Sequence, residues 1–212
     1  LENSFVRRWK REGGAVVVHT CSYVPAEIIH AAGILPYRLR GTGARETTVG
    51  DTYFGPYICS LPKCVLQLAG EGAFGFLDGT VIVPGCDSMR RLDECWRKAG
   101  EDIAGIVPSF FFHLAVPHKY DDYTVSWFAG EIQRLRDALE EHFGREIRDE
   151  KISEAITLYN EGRRLLEVLD AMRVSPETPL TGSEALGAVL AGTAMPRGDY
   201  NRMLSEFIEE KK

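Results

Sequence analysis

Residues 76–91 constrain the fold of this chain most, because turn, strand and helix signals follow one another there without a spare residue. A β-branched run at 79–83 ends at a Pro-Gly pair, and Cys86 precedes a helix that we predict to start at Ser88 with Asp87 as its cap. This order places Cys86 at the carboxyl end of a buried strand. Parallel sheets bind ligands at that edge, where helix N-termini direct their free N–H groups, and a thiol there ionises more easily.

Two more cysteines occupy similar positions in the sequence. Cys21 follows the valine-rich run 15–20 and precedes a helix signal at 24–32, and Cys59 precedes Ser60, a possible helix cap. A doubly wound sheet gathers such helix starts along one edge. We therefore expect three soft, ionisable ligands to converge on one point.

Strand and helix signals alternate through the first 120 residues. We predict strands at 15–20, 34–39, 79–83 and 102–107, separated by helices at 24–32, 61–70 and 87–99. This alternation predicts an α/β fold of the Rossmann-like type, with a mostly parallel sheet that is flanked by helices and joined by right-handed crossovers.

From about residue 121 the pattern changes to long amphipathic helices, which Pro176 and Pro179 interrupt. We therefore divide the chain into an α/β domain at 1–120, which carries the cysteines, and a helical C-terminal extension at 121–212 that packs on it. The extension offers packing and assembly surface, and we assign no chemistry to it.

Composition restricts the partners and the compartment. A net charge of −6 provides no basic surface for nucleic acid or an anionic membrane, so we expect small molecules or proteins as partners. No apolar run approaches the ~18 residues that cross a bilayer, and the charged opening residues predict no signal peptide. An odd number of cysteines, five, argues against a disulfide framework and favours a reducing cytoplasm.

Several motifs together resemble one protein family. The chain resembles the D-component of the 2-hydroxyacyl-CoA dehydratases and the related benzoyl-CoA reductase subunits. The matching motifs span nearly the whole chain and are residues 21–36 (CSYVPAEIIHAAGILP), 76–79 (FLDG) leading to 86–92 (CDSMRRL), 117–119 (PHK), 158–163 (LYNEGR) and 182–184 (GSE).

The resemblance implies a cytoplasmic iron–sulfur protein of anaerobes, in which each subunit holds a [4Fe-4S] cluster through three cysteines. In such dehydratases an iron meets the thioester carbonyl of a 2-hydroxyacyl-CoA. One electron from an ATP-dependent activator protein then forms a ketyl radical that expels the neighbouring hydroxyl, and the electron is recovered. In the reductases the electrons stay in the product. The implied partners are the acyl-CoA substrate, that activator and a sister D-component subunit, which together with this chain forms a dimer.

Carried onto this sequence, the resemblance makes Cys59 and Cys86 two cluster ligands. The family's third ligand comes from a second α/β domain that we expect to lie outside these 212 residues, so the helical extension leads towards it and this half alone is expected to be inactive. Cys21 is a weaker candidate for a third thiolate, because its motif also serves simply to enter the next helix. The two remaining cysteines, Cys64 and Cys95, fall inside predicted helices, and we interpret Cys95 as a core residue.

Glu27 and His30 lie one turn apart on the helix after Cys21, where they can exchange a proton with a substrate. The plainer interpretation is a first-turn glutamate, favoured by the helix dipole, and a partly buried histidine.

Two other functions stay open. One is a small-molecule reductase of the same superfamily with a double-cubane [8Fe-9S] cluster, for which extra cysteine ligands outside this chain would be evidence. The other is a non-catalytic subunit that relays electrons or shapes the complex without contacting substrate.

Overall fold

The computed structural model describes residues 1–174 and 179–212. Its strands are β1 (Val16–His19), β2 (Leu35–Arg38), β3 (Gly79–Ile82) and β4 (Phe110–His113). They form one sheet in the order β2-β1-β3-β4, and all neighbouring pairs run parallel. The predicted α/β fold with a parallel sheet is confirmed.

Helices flank this sheet and make up the C-terminal part of the chain. They are α1 (Ser4–Arg11), α2 (Ala26–Ala31), α3 (Thr48–Tyr53), α4 (Ser60–Gly70), α5 (Asp87–Asp102), α6 (Asp122–Phe143), α7 (Asp149–Arg173), α8 (Gly182–Ala191) and α9 (Arg197–Lys211). Pro179 lies between α7 and α8, as predicted, while Pro176 lies outside the described residues. None of the helices in the described residues is long and apolar enough to cross a membrane.

Successive side chains of β1 enter two different cores, as the two-residue period of a strand requires. Val16 and Val18 pack in the core formed with α4 and α5, and Val17 packs in the opposite core with α2 and α6. Both faces of the sheet are therefore covered, which is why β1 is a continuous apolar run rather than an alternating one.

The sheet changes direction at β1. The chain passes from β1 to β2 on one side and then returns to place β3 on the other side. In sheets of this kind a crevice opens at the carboxyl ends of the two strands where the order reverses. Here those strands are β1 and β3, and the cysteine-bearing segments follow or precede them.

The predicted strand at 102–107 is wrong. Helix α5 continues to Asp102, and the strand that pairs with β3 is Phe110–His113. Gly105 has φ +78°, a left-handed turn that a strand does not accept, and the carbonyl of Ile106 accepts a hydrogen bond from the indole N–H of Trp96 at 2.8 Å. These contacts hold the segment against α5 and leave the three phenylalanines to form the edge strand.

The C-terminal helices have clear sequence boundaries and pack on the rest of the chain. A capping box at Asp121 and Thr124 starts α6, and Gly144, with φ +62°, ends it. Leu135 and Leu139 of α6 lie in the same core as β1, whereas α7 and α9 share a third core. The division of the chain at residue 120 into two domains stays a prediction.

Glu184 joins the start of α8 to the end of α9. One carboxylate oxygen, Oε2, accepts hydrogen bonds from the backbone N and from Oγ1 of Thr181, both at 2.8 Å. The other, Oε1, lies 2.5 Å from Nζ of Lys211. The hydrogen bond from Lys211, followed by those from Thr181, lowers the pKa of Glu184 from 4.5 to about 2.

Glu184→Gln is expected to lower the melting temperature at neutral pH, and its difference from the wild type should shrink as the pH falls. The lowered pKa means that the unfolded chain binds more protons than the folded chain between pH 4.5 and about 2. The stability contributed by the carboxylate is therefore complete above that range and lost within it. Thermal unfolding followed by circular dichroism measures this, with Glu154→Gln, which removes an exposed pair with Lys151, as the control. A difference that does not change with pH would contradict the assignment.

Candidate functional site

Cys59 and Cys86 are themselves the N-cap residues of α4 and α5. The predicted caps, Ser60 and Asp87, are instead the first helical residues, because the backbone is still extended at each cysteine and turns helical immediately after it. Both side chains are exposed, and within the described residues neither makes a capping hydrogen bond. Both thiols are therefore accessible to an external group.

The topology brings these two caps to the same edge of the sheet. Helix α5 leaves the carboxyl end of β3, and α4 returns to the amino end of β3. A helix that connects parallel strands runs antiparallel to them, so the N-terminus of α4 also lies at the carboxyl edge. Cys59 and Cys86 thus lie at the edge where open α/β sheets bind ligands.

Cys21 is placed differently from the other two. It follows β1 at the same edge, but α2 begins only at Ala26, with Pro25 as its cap. Its side chain is partly buried in the α2–α6 core, and a Cβ added at Gly85 would lie 3.6 Å from its Sγ. Cys21 is therefore close to the segment that carries Cys86, yet it does not cap a helix.

The predicted meeting of three ligands is not found. Among the described residues, no three His, Cys, Asp or Glu side chains form a group that holds a metal ion. The chain thus offers two accessible thiols and one partly buried thiol along a single edge.

The remaining cysteines lie inside helices, as predicted. Cys95 packs against the α4–α5 core and its thiol donates a hydrogen bond to the carbonyl of Tyr53 at 3.4 Å, while burial raises its pKa. Cys64 lies close to Gly41, where an added Cβ would come within 2.8 Å of the Cys64 Cβ. Cys95 is thus partly buried, whereas Cys59 and Cys86 are exposed.

Glu27 and His30 do not share a cavity. Glu27 forms an ion pair with Arg163 and lines the cavity at the carboxyl ends of β1 and β2. His30 lines a second cavity and packs edge-on against Tyr159, with ring centroids 5.6 Å apart. Burial, reinforced by the charge of Arg197, lowers the pKa of His30, so the ring is neutral at neutral pH. A shared role in proton transfer stays a prediction, and the structure gives Glu27 an ion pair and His30 an aromatic contact.

Sequence reasoning missed an arginine-rich cavity beside Cys21. Arg38, Arg163 and Arg197 line it, together with His19, whose pKa is lowered to about 4 mainly by burial. Arg38 had a usable signal because it stands near the carboxyl end of a predicted strand, and Arg163 because it ends the matching motif at 158–163. Arg163 and Arg197 come from α7 and α9, far away in the sequence, so the meeting of the three arginines could not be predicted.

Comparison with known proteins decides the family. The model of the family described as 2-hydroxyglutaryl-CoA dehydratase, D-component, matches residues 21–212. The chain belongs to this family. The resemblance predicted from the motifs is thereby confirmed, and the D-component match includes Cys21, Cys59 and Cys86.

Individual relatives of this D-component chain are similar along most of its length. A benzoyl-CoA reductase subunit of Thauera aromatica is 29% identical over 98% of this chain and 53% of its own length. The (R)-phenyllactyl-CoA dehydratase beta subunit of Clostridium sporogenes is 24% identical, over 90% of this chain and 49% of its own. The beta subunit of the (R)-2-hydroxyglutaryl-CoA dehydratase of Acidaminococcus fermentans is 23% identical over 98% of this chain and 54% of its own length. The chain spans about half the length of the curated relatives it matches.

Proposed function

We propose that the full-length protein is a subunit of a 2-hydroxyacyl-CoA dehydratase or benzoyl-CoA reductase type of enzyme, and that it holds a [4Fe-4S] cluster through Cys59 and Cys86. Membership of the D-component family supports the enzyme class. The observation that carries the cluster assignment is the pair of exposed cysteines that cap two helices at the carboxyl edge of one parallel sheet.

The donor set fits part of an iron–sulfur cluster. Thiolates are the usual cluster ligands, and free backbone N–H groups at a helix start favour the negative charge of a cluster and its sulfurs. The described residues supply two such thiols and no complete group of three. We propose that the remaining ligand comes from outside these 212 residues, since the relatives are about twice as long. Cys21 is a second choice because it is partly buried.

When bound, the cluster supplies one-electron chemistry to a thioester substrate. The protein residues around it have separate tasks. Cys59 and Cys86 would provide two of the sulfur ligands. Each stands where extended backbone turns into a helix, so the helix start determines where its Cβ lies. Both helices pack in the same core on one side of the sheet, which keeps the two helix starts in register.

We further propose three partners: an acyl-CoA thioester, a sister D-component subunit and an ATP-dependent activator. We propose that the activator is a separate protein, as the family resemblance implies. Such an electron-transfer complex suits a reducing cytoplasm, where free cysteines persist.

Iron and sulfide analysis of the full-length protein, purified under strictly anaerobic conditions, tests the cluster. We expect about four irons and four sulfides per subunit, with an EPR signal after one-electron reduction. A folded protein with no bound iron would contradict the proposal.

Incubation with candidate acyl-CoA thioesters, the activator and ATP then distinguishes the two reactions. A dehydratase forms a product that has lost water, and a reductase forms a product that has gained electrons.

A further inference from the structure

The arginine-rich cavity lies beside the cysteine edge and has no role in the cluster proposal. It measures about 510 Å³ and opens at the carboxyl ends of β1 and β2. The segment between α8 and α9 forms one wall, and it is fixed there because the backbone N of Arg38 donates to the carbonyl of Thr193 at 2.8 Å. Arg40 adds hydrogen bonds to Leu190 and Thr193 from the same strand end. Hydrogen bonds therefore join the end of β2 to the segment between α8 and α9 at this cavity.

Positive charge exceeds negative charge in this cavity. Its lining contains three arginines, Arg38, Arg163 and Arg197, and one carboxylate, Glu27, so the formal excess is two positive charges. Glu27 is already paired with Arg163. In the part of the chain that the structure describes, no carboxylate lies within ion-pair distance of Arg38 or Arg197. This excess occurs in a chain whose net charge is −6.

Both unpaired guanidinium groups are held in place by uncharged neighbours. Nη1 of Arg38 donates to Oγ of Ser22 at 3.1 Å. The Arg197 guanidinium lies over the ring of Tyr159, 4.2 Å from its centroid, and 5.2 Å from that of Tyr200. Aromatic and hydroxyl contacts orient an arginine without neutralising it, so both groups keep their charge for a ligand.

We infer that this cavity binds the phosphate groups of a small-molecule ligand. An excess of two positive charges matches a phosphate dianion or a pyrophosphate better than a single carboxylate, which would leave one charge unpaired. The planar guanidinium group suits bidentate bonds to phosphate oxygens. The hydroxyl of Ser22 lines the same cavity, and because it only accepts from Arg38 it keeps its own proton as a further donor. The inference does not depend on the cluster, because inorganic anions test it.

Titration calorimetry of the full-length protein with inorganic phosphate, pyrophosphate and succinate, at constant ionic strength set with KCl, tests this site. We expect pyrophosphate to bind best and Arg38→Ala to weaken it by about tenfold or more, the typical effect of losing a charge-assisted hydrogen bond. Arg38→Lys keeps the charge but loses the planar fork, so its affinity should lie in between. Coenzyme A and ADP both carry pyrophosphate, and their relative affinities show which source the cavity prefers.

Arg202→Ala is the matched control, because it removes one positive charge from the outer face of α9. Arg202 is exposed and pairs with Glu206 at 3.3 Å and Asp199 at 3.6 Å. The pyrophosphate affinity of Arg202→Ala should equal that of the wild type. Circular dichroism should show that Arg38→Ala and Arg202→Ala are both folded. Equal weakening in Arg38→Ala and Arg202→Ala, equal affinity for succinate and pyrophosphate, or no binding to the wild type would each overturn the inference.

Discussion

Cys86→Ala in the full-length protein is expected to abolish the EPR signal of the reduced cluster and to lower the bound iron from about four per subunit to well below one. Cys86 is the N-cap residue of α5 at the carboxyl edge of the sheet, and its side chain is exposed. Loss of one thiolate leaves an iron corner without its protein ligand. Since an exposed side chain contributes little packing, the melting temperature of the metal-free protein should not change.

Two further substitutions make this experiment specific. Cys59→Ala should behave like Cys86→Ala, because Cys59 caps α4 in the same way. Cys95→Ala should retain iron and sulfide in full, because that thiol is turned into the core and donates to the carbonyl of Tyr53. The assignment would be wrong if Cys86→Ala kept four irons, or if Cys95→Ala lost them. Iron, sulfide and EPR are measured on all three proteins, purified side by side.

The parallel sheet was predictable because its signals are local. Strands β1, β2 and β3 are short apolar runs bounded by turn residues, and helices separate them at the spacing that a crossover needs. The fourth strand was placed too early for an equally physical reason. The apolar segment 103–107 looks like a strand by composition, but α5 extends further and its Trp96 binds that segment through a hydrogen bond.

The candidate site was only partly predictable. Order along the chain placed three cysteines at one edge, but whether a thiol is exposed or packed depends on contacts with distant segments. Cys21 is partly covered by the α2–α6 core, which residues more than a hundred positions away help to build. The arginine-rich cavity needs β2, α7 and α9 to come together, and periodicity within a single helix contains no information about that.

Trp96→Ala is expected to lower the free energy of unfolding by about 3–5 kcal/mol, the usual range for a buried tryptophan. Trp96 is fully buried and packs between Phe74 and Phe111, with ring centroids 6.2 and 5.9 Å away. Its truncation opens a cavity in the α4–α5 core, on which the position of Cys86 depends. Because domains are stable by only about 5–15 kcal/mol, a large share of the protein should unfold at modest urea concentrations. Urea unfolding followed by far-UV circular dichroism measures the change.

Trp96→Phe separates the hydrogen bond from the packing. Phenylalanine retains most of the apolar volume but leaves the buried carbonyl of Ile106 without the donor that lies 2.8 Å away, so we expect a loss of about 1–3 kcal/mol. Trp127→Ala is the control, because that side chain is 39% exposed on α6 and its removal should cost only about 1 kcal/mol or less. Equal losses for Trp96→Ala and Trp127→Ala would show that the segment 103–107 does not depend on Trp96. If stability instead increases from Trp96→Ala to Trp96→Phe to the wild type, the Trp96 indole stabilises both the core beside α5 and the segment 103–107.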